Sequence, residues 1–192
     1  MGKLILGIGI NDRSISSRID GNVRKEYHAW RNMLVRVTSK EYQEQHKTYE
    51  GSTISEMFTY YHLFYAWCQE QVGFGKEGYC LDKDLIVKGN RHYSEDTCVF
   101  IPYEINLLLT KTNASRGELP IGVCLSRGKY IAHCKVNSQP THIGSFDTAI
   151  LAFEAYKSFK ENRIKEQAEN YKHSIDVRAY EALLNYKVEI GD

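Results

Sequence analysis

An α+β fold is predicted for this chain of 192 residues by three observations. Tyr27, Trp30, Leu34 and Val37 recur at the period of an amphipathic helix. Two short apolar segments flank a Gly89-Asn90 turn and lead into a third, helical segment. Three alternating segments beyond residue 120 are separated by Ser126-Arg127-Gly128 and Asn137-Ser138-Gln139-Pro140, both strong turn signals, and are followed by a helix. Together they predict an N-terminal helical region with a ββα core, a three-stranded antiparallel sheet plus helix, and C-terminal helices.

The opening MGKLILGIGIND has a short apolar patch without a cleavage region and reads as a strand or packing segment. Asn11 to Asn22 is a polar, turn-rich loop. Glu26 to Val37 is the first helix, with Arg31 and Arg36 outside its stripe. Lys40 to Gly51 is polar and ends in a loop. Ser55 to Gln71 is a second helix with Phe58, Tyr61, Phe64, Tyr65 and Cys68 on a broad apolar face, capped by Ser52 or Ser55. Gly73, Gly75 and Gly78 mark a turn before a strand over Tyr79 to Val87. A second strand covers Thr97 to Ile101, and Pro102 stands near the first turn of the helix EINLLLTK.

Thr112 to Glu118 is polar and serves as the expected boundary. Ile121 to Leu125, Lys129 to Val136 and Thr141 to Phe146 form the three strands, and a helix starts at Asp147-Thr148. The tail from Glu161 keeps helical spacing at Ile164, Ala168 and Tyr171, then at Val177, Tyr180 and Leu184. It reads as one or two helices that pack on a domain or pair two subunits into a homodimer. The expected division is 1–118, 119–160 and 161–192.

Hydrophobic content of 42% and charged content of 26% are those of an ordinary folded chain, which excludes wholesale disorder. No apolar run approaches membrane-spanning length, so no membrane partner is expected. Five cysteines without a CxxC pair argue against a disulfide framework or a zinc site of ordinary spacing, and for a cytoplasmic setting. The net charge of +1 says little, but its distribution says more. Pro120 to Phe146 holds no Asp or Glu, yet carries Arg127, Lys129, His133, Lys135 and His142. On a strand, Lys129, Ile131, His133 and Lys135 share one face, and Tyr130, Ala132, Cys134 and Val136 the other. The apolar face suits a helix. The basic face suits the backbone of double-stranded DNA, with Arg127 and His142 extending it.

In the first half, Leu81 to Asn106 reads LDKDLIVKGNRHYSEDTCVFIPYEIN. Asp82 and Asp84 alternate on the predicted strand and so share a side, a plausible oxygen-ligand pair for Mg²⁺. Lys83 would point the other way, and an ammonium is a poor base. His92 is the nearest imidazole. The order of YHAWRNML, the Trp67 helix and LDKD…GN…YS…TC.F.P..IN resembles the HNH-type (ββα-metal) homing endonucleases of tailed phages. That resemblance implies a divalent-metal phosphodiesterase acting in the host-cell cytoplasm, with Lys83 at the position of the family's histidine base. It also implies that Asn90 is the loop-orienting Asn and that Asn106 stands where the family often carries a metal-binding His or Asn.

The pattern Gly122-Val123, Lys129-Tyr130-Ile131-Ala132, Ile143-Gly144-Ser145-Phe146-Asp147-Thr148 and Ala155-Tyr156 resembles the DNA-binding domain of plant ethylene-response factors. It implies a three-stranded sheet laid in the major groove. Three readings remain open: a metal-dependent DNA endonuclease, a DNA-binding or interference protein on a core that has lost catalysis, and a protein-binding phage factor.

Overall fold

The computed structural model describes residues 3–110, 119–136 and 139–191. Both the expected boundary at Thr112 to Glu118 and the Asn137-Ser138 half of the second turn lie outside the described residues. The fold is α+β, as the periodicities predict, and the chain divides into two compact units. The first comprises residues 1–103 and 173–179, and the second 104–172 and 180–192.

The first unit opens with an antiparallel hairpin of β1 (Lys3–Ile5) and β2 (Gly9–Asn11). The polar loop that follows contains a second small hairpin, β3 (Arg18–Ile19) with β4 (Asn22–Val23). The predicted first helix is α1 (Lys25–Thr38). Ser39 ends it and caps α2 (Lys40–Gln45), accepting from the Tyr42 N–H at 3.2 Å, and a 3₁₀ turn at Lys47–Tyr49 follows. Next come β5 (Thr53–Ile54), α3 (Glu56–Thr59) and α4 (Tyr61–Glu70). The single helix expected over Ser55 to Gln71 is therefore two. Ser55 caps the first as expected, but Tyr60 is extended and turns the chain.

That turn serves the core. Trp30 of α1 donates its indole N–H to the Phe58 carbonyl at 2.7 Å, and Tyr61 lies tilted against the Trp30 ring with centroids 5.4 Å apart. Phe58, Phe64, Trp67 and Phe100 continue the cluster in edge and tilted contacts. Such pairs contribute about 1 kcal/mol each beyond area burial, and the indole bond keeps a buried donor satisfied.

β6 (Tyr79–Asp82), β7 (His92–Tyr93) and β8 (Val99–Pro102) complete the first unit. β6 pairs antiparallel with β8, and β5 parallel with β7. The first strand is shorter than expected. It stops at Asp82, and Lys83 to Val87 is a series of bends. α5 (Tyr103–Leu109) follows β8 directly, and Pro102, the last strand residue, stands immediately before its first turn as expected.

In the second unit β9 (Val123–Ser126), β10 (Lys129–Val136) and β11 (Gln139–Phe146) form an antiparallel sheet with β10 central. α6 (Ala149–Tyr171) is capped by Thr148 and covers the sheet with Ala152, Phe153 and Tyr156, against Val123, Ala132 and Cys134. It runs without interruption past residue 161, where a separate tail was expected. α7 (Val177–Leu184) follows, and the last residues return to α6, where the Val188 N–H donates to Glu161 at 3.0 Å. No helix among the described residues is long and apolar enough to cross a membrane.

Gly122 has φ +75°, and a Cβ there would run into the Tyr156 ring. Gly122→Ala therefore combines backbone strain with a core clash and should destabilise the second unit by roughly 2–4 kcal/mol. Urea unfolding followed by circular dichroism measures it, and a loss below about 1 kcal/mol would contradict the packing described.

Candidate nuclease-like centre and nucleic-acid interface

The β6–β7 loop brings five of the six residues singled out around Gly89-Asn90 into one unit. Its closure is reciprocal. Asn90 Nδ2 donates to the Lys83 carbonyl at 2.7 Å, and Lys83 Nζ donates to the Asn90 carbonyl at 3.0 Å. Asn90 also brackets His92, donating to its carbonyl at 2.7 Å and accepting from its N–H at 3.0 Å. Asn90 thus ties the two ends of the loop together.

The two aspartates differ from the strand picture. Asp82 is 8% exposed, and its Oδ1 accepts from the N–H groups of Asp84 and Leu85 at 2.9 and 2.8 Å. That side chain turns the backbone, which is why the strand ends there and the expected Asp82/Asp84 alternation does not occur. Asp84 is exposed. Nor does Lys83 face away from its neighbours: it is 5% exposed, with Nζ 3.6 Å from Asp84 Oδ2 and near the rings of Tyr49 and Tyr93. A buried ammonium needs such partners, and here it has a carbonyl, a carboxylate and two π faces.

Burial raises the Asp82 carboxyl to about 6, and the nearby Asp84 charge adds to the shift. His92 is exposed, with Nδ1 2.8 Å from Thr53 Oγ1 across the β5–β7 pair. In the tautomer whose Nδ1–H donates to Thr53, Nε2 carries the lone pair a base requires. Asn106 lies on α5 in the second unit, where its carbonyl closes the helix by accepting from Thr110 N–H and Oγ1 at 3.1 and 3.0 Å.

As a donor set for a divalent cation, Asp82 and Asp84 supply carboxylate oxygens, and Mg²⁺ commonly takes one or two from protein and the rest from water and phosphate. The Lys83 ammonium beside Asp84 works against it by placing a positive charge at the same carboxylate. No group of three or more His, Cys, Asp or Glu side chains gathers as for a metal among the described residues.

The second site is the face of the β9–β11 sheet turned away from α6. Ala132 and Cys134 are buried under the helix, and the alternate residues Lys129, Ile131, His133 and Lys135 line the open face, as strand alternation predicts. Register adds partners: Ile131 stands opposite Cys124 and Ser145, and His133 opposite His142. A bulge carries His142 to this face. The pairing shifts between Ala132 and His133, leaving Ile143 as the extra residue packed toward the core. Without it, alternation down from Phe146 would turn His142 toward the helix.

Arg127 and Gly128 both have positive φ, 49° and 77°, the pattern of a type I′ hairpin turn that sets Arg127 at the tip between β9 and β10. Lys129 is ion-paired with Asp147, which the acid-free stretch gave no reason to expect because Asp147 lies just beyond it. His133 Nδ1 is buried and has no hydrogen-bond partner among the described residues.

The raised Asp82 carboxyl has a consequence for stability. The folded chain holds that proton more tightly than the unfolded chain, whose carboxyl titrates near 3.8. This contribution is full at acid pH and is lost as pH rises from 3.8 through about 6, by up to roughly 3 kcal/mol. Asp82→Asn keeps the turn acceptor and removes the titration. Urea unfolding at pH 4 to 8 should show the variant gaining on the parent chain as pH rises; parallel profiles would contradict it.

No family model matches this chain, and neither the curated proteins nor the solved structures give a match.

Proposed function

We propose that this chain binds duplex DNA through the open face of the β9–β11 sheet and cuts it at the β6–β7 loop, as a metal-dependent endonuclease of the phage homing type. The observation that carries the reading is the open face itself. Lys129, His133, Lys135 and His142 project from one side of a rigid sheet with Arg127 at its tip, and the opposite side is sealed by α6. Cations on a sheet neutralise phosphates, and the Ile131 and histidine side chains between them are suited to base edges in a major groove.

For the cutting step, Asp82 and Asp84 would hold the cation, which when bound neutralises charge on the scissile phosphate and the leaving oxygen. His92, oriented by Thr53, takes the proton from the attacking water. The Lys83–Asn90 bonds hold the loop in shape, and Lys83 adds a fixed positive charge beside the carboxylates.

A second reading keeps the binding and drops the cutting. It is favoured by the Lys83 ammonium, which the resemblance aligns with the family's base and which lies beside one of the two carboxylates a metal would need.

One measurement tests the binding that both readings share, and a second separates them. Lys135→Ala should weaken duplex binding about tenfold at moderate salt and lower the slope of log K against log salt by about 1. An unchanged affinity and slope would remove the sheet from the interface. With Mg²⁺, the chain should nick or cut duplex DNA, and His92→Ala should lower the rate by roughly 100-fold or more without changing affinity. Tight binding with no cleavage at any Mg²⁺ or Mn²⁺ concentration would establish the second reading.

A further inference from the structure

The first unit contains a cleft of about 450 Å³ that neither part of the proposed function uses. It lies along α1 between the Gly73–Gly78 turn and β6, and the first strand of the ββ pair forms one wall. Volumes of roughly 300–1,000 Å³ are typical of small-molecule sites.

The lining has a definite chemistry. Lys25, His28, Arg36 and Lys76 contribute to it, and no Asp or Glu does among the described residues. The adjacent Glu26 does not line the cleft: it accepts from Gln69 at 2.9 Å. The two ammonium groups have neutral partners. Lys25 Nζ donates to the Gly75 carbonyl at 2.8 Å, and Lys76 Nζ to the Ser174 carbonyl at 3.2 Å while lying 5.4 Å over the Tyr79 ring. Their charges are thus positioned but not neutralised by a carboxylate.

Aromatic rings complete the lining. Phe74 is held edge-on against Phe100, with centroids 5.1 Å apart, and Tyr79 is fixed by its hydroxyl on the Ser174 carbonyl at 3.3 Å. His28, tied to Asn32 at 3.3 Å, adds a third flat group. Cations without counter-charges next to immobilised rings select an anion that also has a flat body. A simple acidic side chain would leave the rings unused, and an apolar ligand would leave the cations unused.

We infer that this cleft binds a nucleoside phosphate, its base against Phe74 and Tyr79 and its phosphate between Lys25 and Lys76; the Arg36 guanidinium lies over the Tyr49 ring at 5.0 Å and is not part of the phosphate site. Two sources supply that chemistry: a free nucleotide and an unpaired nucleotide of a DNA strand. The inference does not rest on duplex binding by the β9–β11 sheet.

The test is titration calorimetry or fluorescence anisotropy of the full chain with three probes: dAMP, an eight-nucleotide single-stranded DNA, and inorganic phosphate. Lys25→Glu/Lys76→Glu is compared with Lys165→Glu, at an exposed position of α6, and with Lys135→Glu, which reports binding at the sheet. Saturable binding of dAMP or the single strand, tighter than phosphate by tenfold or more, is expected. The cleft double variant should lose at least tenfold of it, and Lys165→Glu should leave it unchanged. A free-nucleotide site binds dAMP as well as the oligonucleotide, whereas a strand site prefers the oligonucleotide. Lys25→Gln/Lys76→Gln, with unchanged melting temperature, separates loss of charge from misfolding.

Binding that survives both cleft variants, or falls only in Lys135→Glu, would overturn the inference. So would the absence of saturable binding by dAMP and the oligonucleotide. Neither result bears on duplex binding, which is read separately with a double-stranded probe.

Discussion

The reciprocal pair of hydrogen bonds between Lys83 and Asn90 is the constraint on which the candidate centre depends. A cation at 5% exposure is tolerated only with its donors satisfied, and the partner that satisfies it also ties the loop's two ends together. Through Asn90 the same bonds reach His92, and through β7 they reach the β5 pairing that presents Thr53 to the imidazole. Replacing either residue would therefore loosen several groups together, and single-residue effects here should not add.

The centre also shows how one carboxylate can be structural and chemically tuned together. Asp82 turns the chain with Oδ1 and is buried in doing so, and that burial raises its pKa. The two backbone N–H bonds favour the carboxylate and pull the pKa down, so burial has to outweigh them, and the shift alone assigns no role. The sheet relies on a different physics. Its open face is defined by what α6 covers, and its charge is useful because it is spread over a rigid surface rather than summed over the chain.

Much of this was legible in the amino-acid order. Alternation along Lys129 to Val136 placed each residue on its observed face, and the Trp30 stripe located α1. What escaped has local causes. A period-2 rule cannot foresee a bulge, so the route of His142 to the open face lay outside it. It also could not foresee a side chain that ends its own strand, as Asp82 does. Tyr60 breaks a helix whose apolar face looks continuous, because Trp30 needs the Phe58 carbonyl and tertiary packing overrides propensity. The cleft beside α1 had no linear signal: its two ammonium groups come from residues 25 and 76, which only the fold brings together.

Amide hydrogen exchange of the full chain, with and without duplex DNA, tests the central claim most directly. Binding through the open sheet face predicts slowed exchange concentrated in β9, β10 and the first half of β11, with α6 little changed. Slowed exchange confined to the first unit, or none anywhere at saturating duplex, would contradict the account.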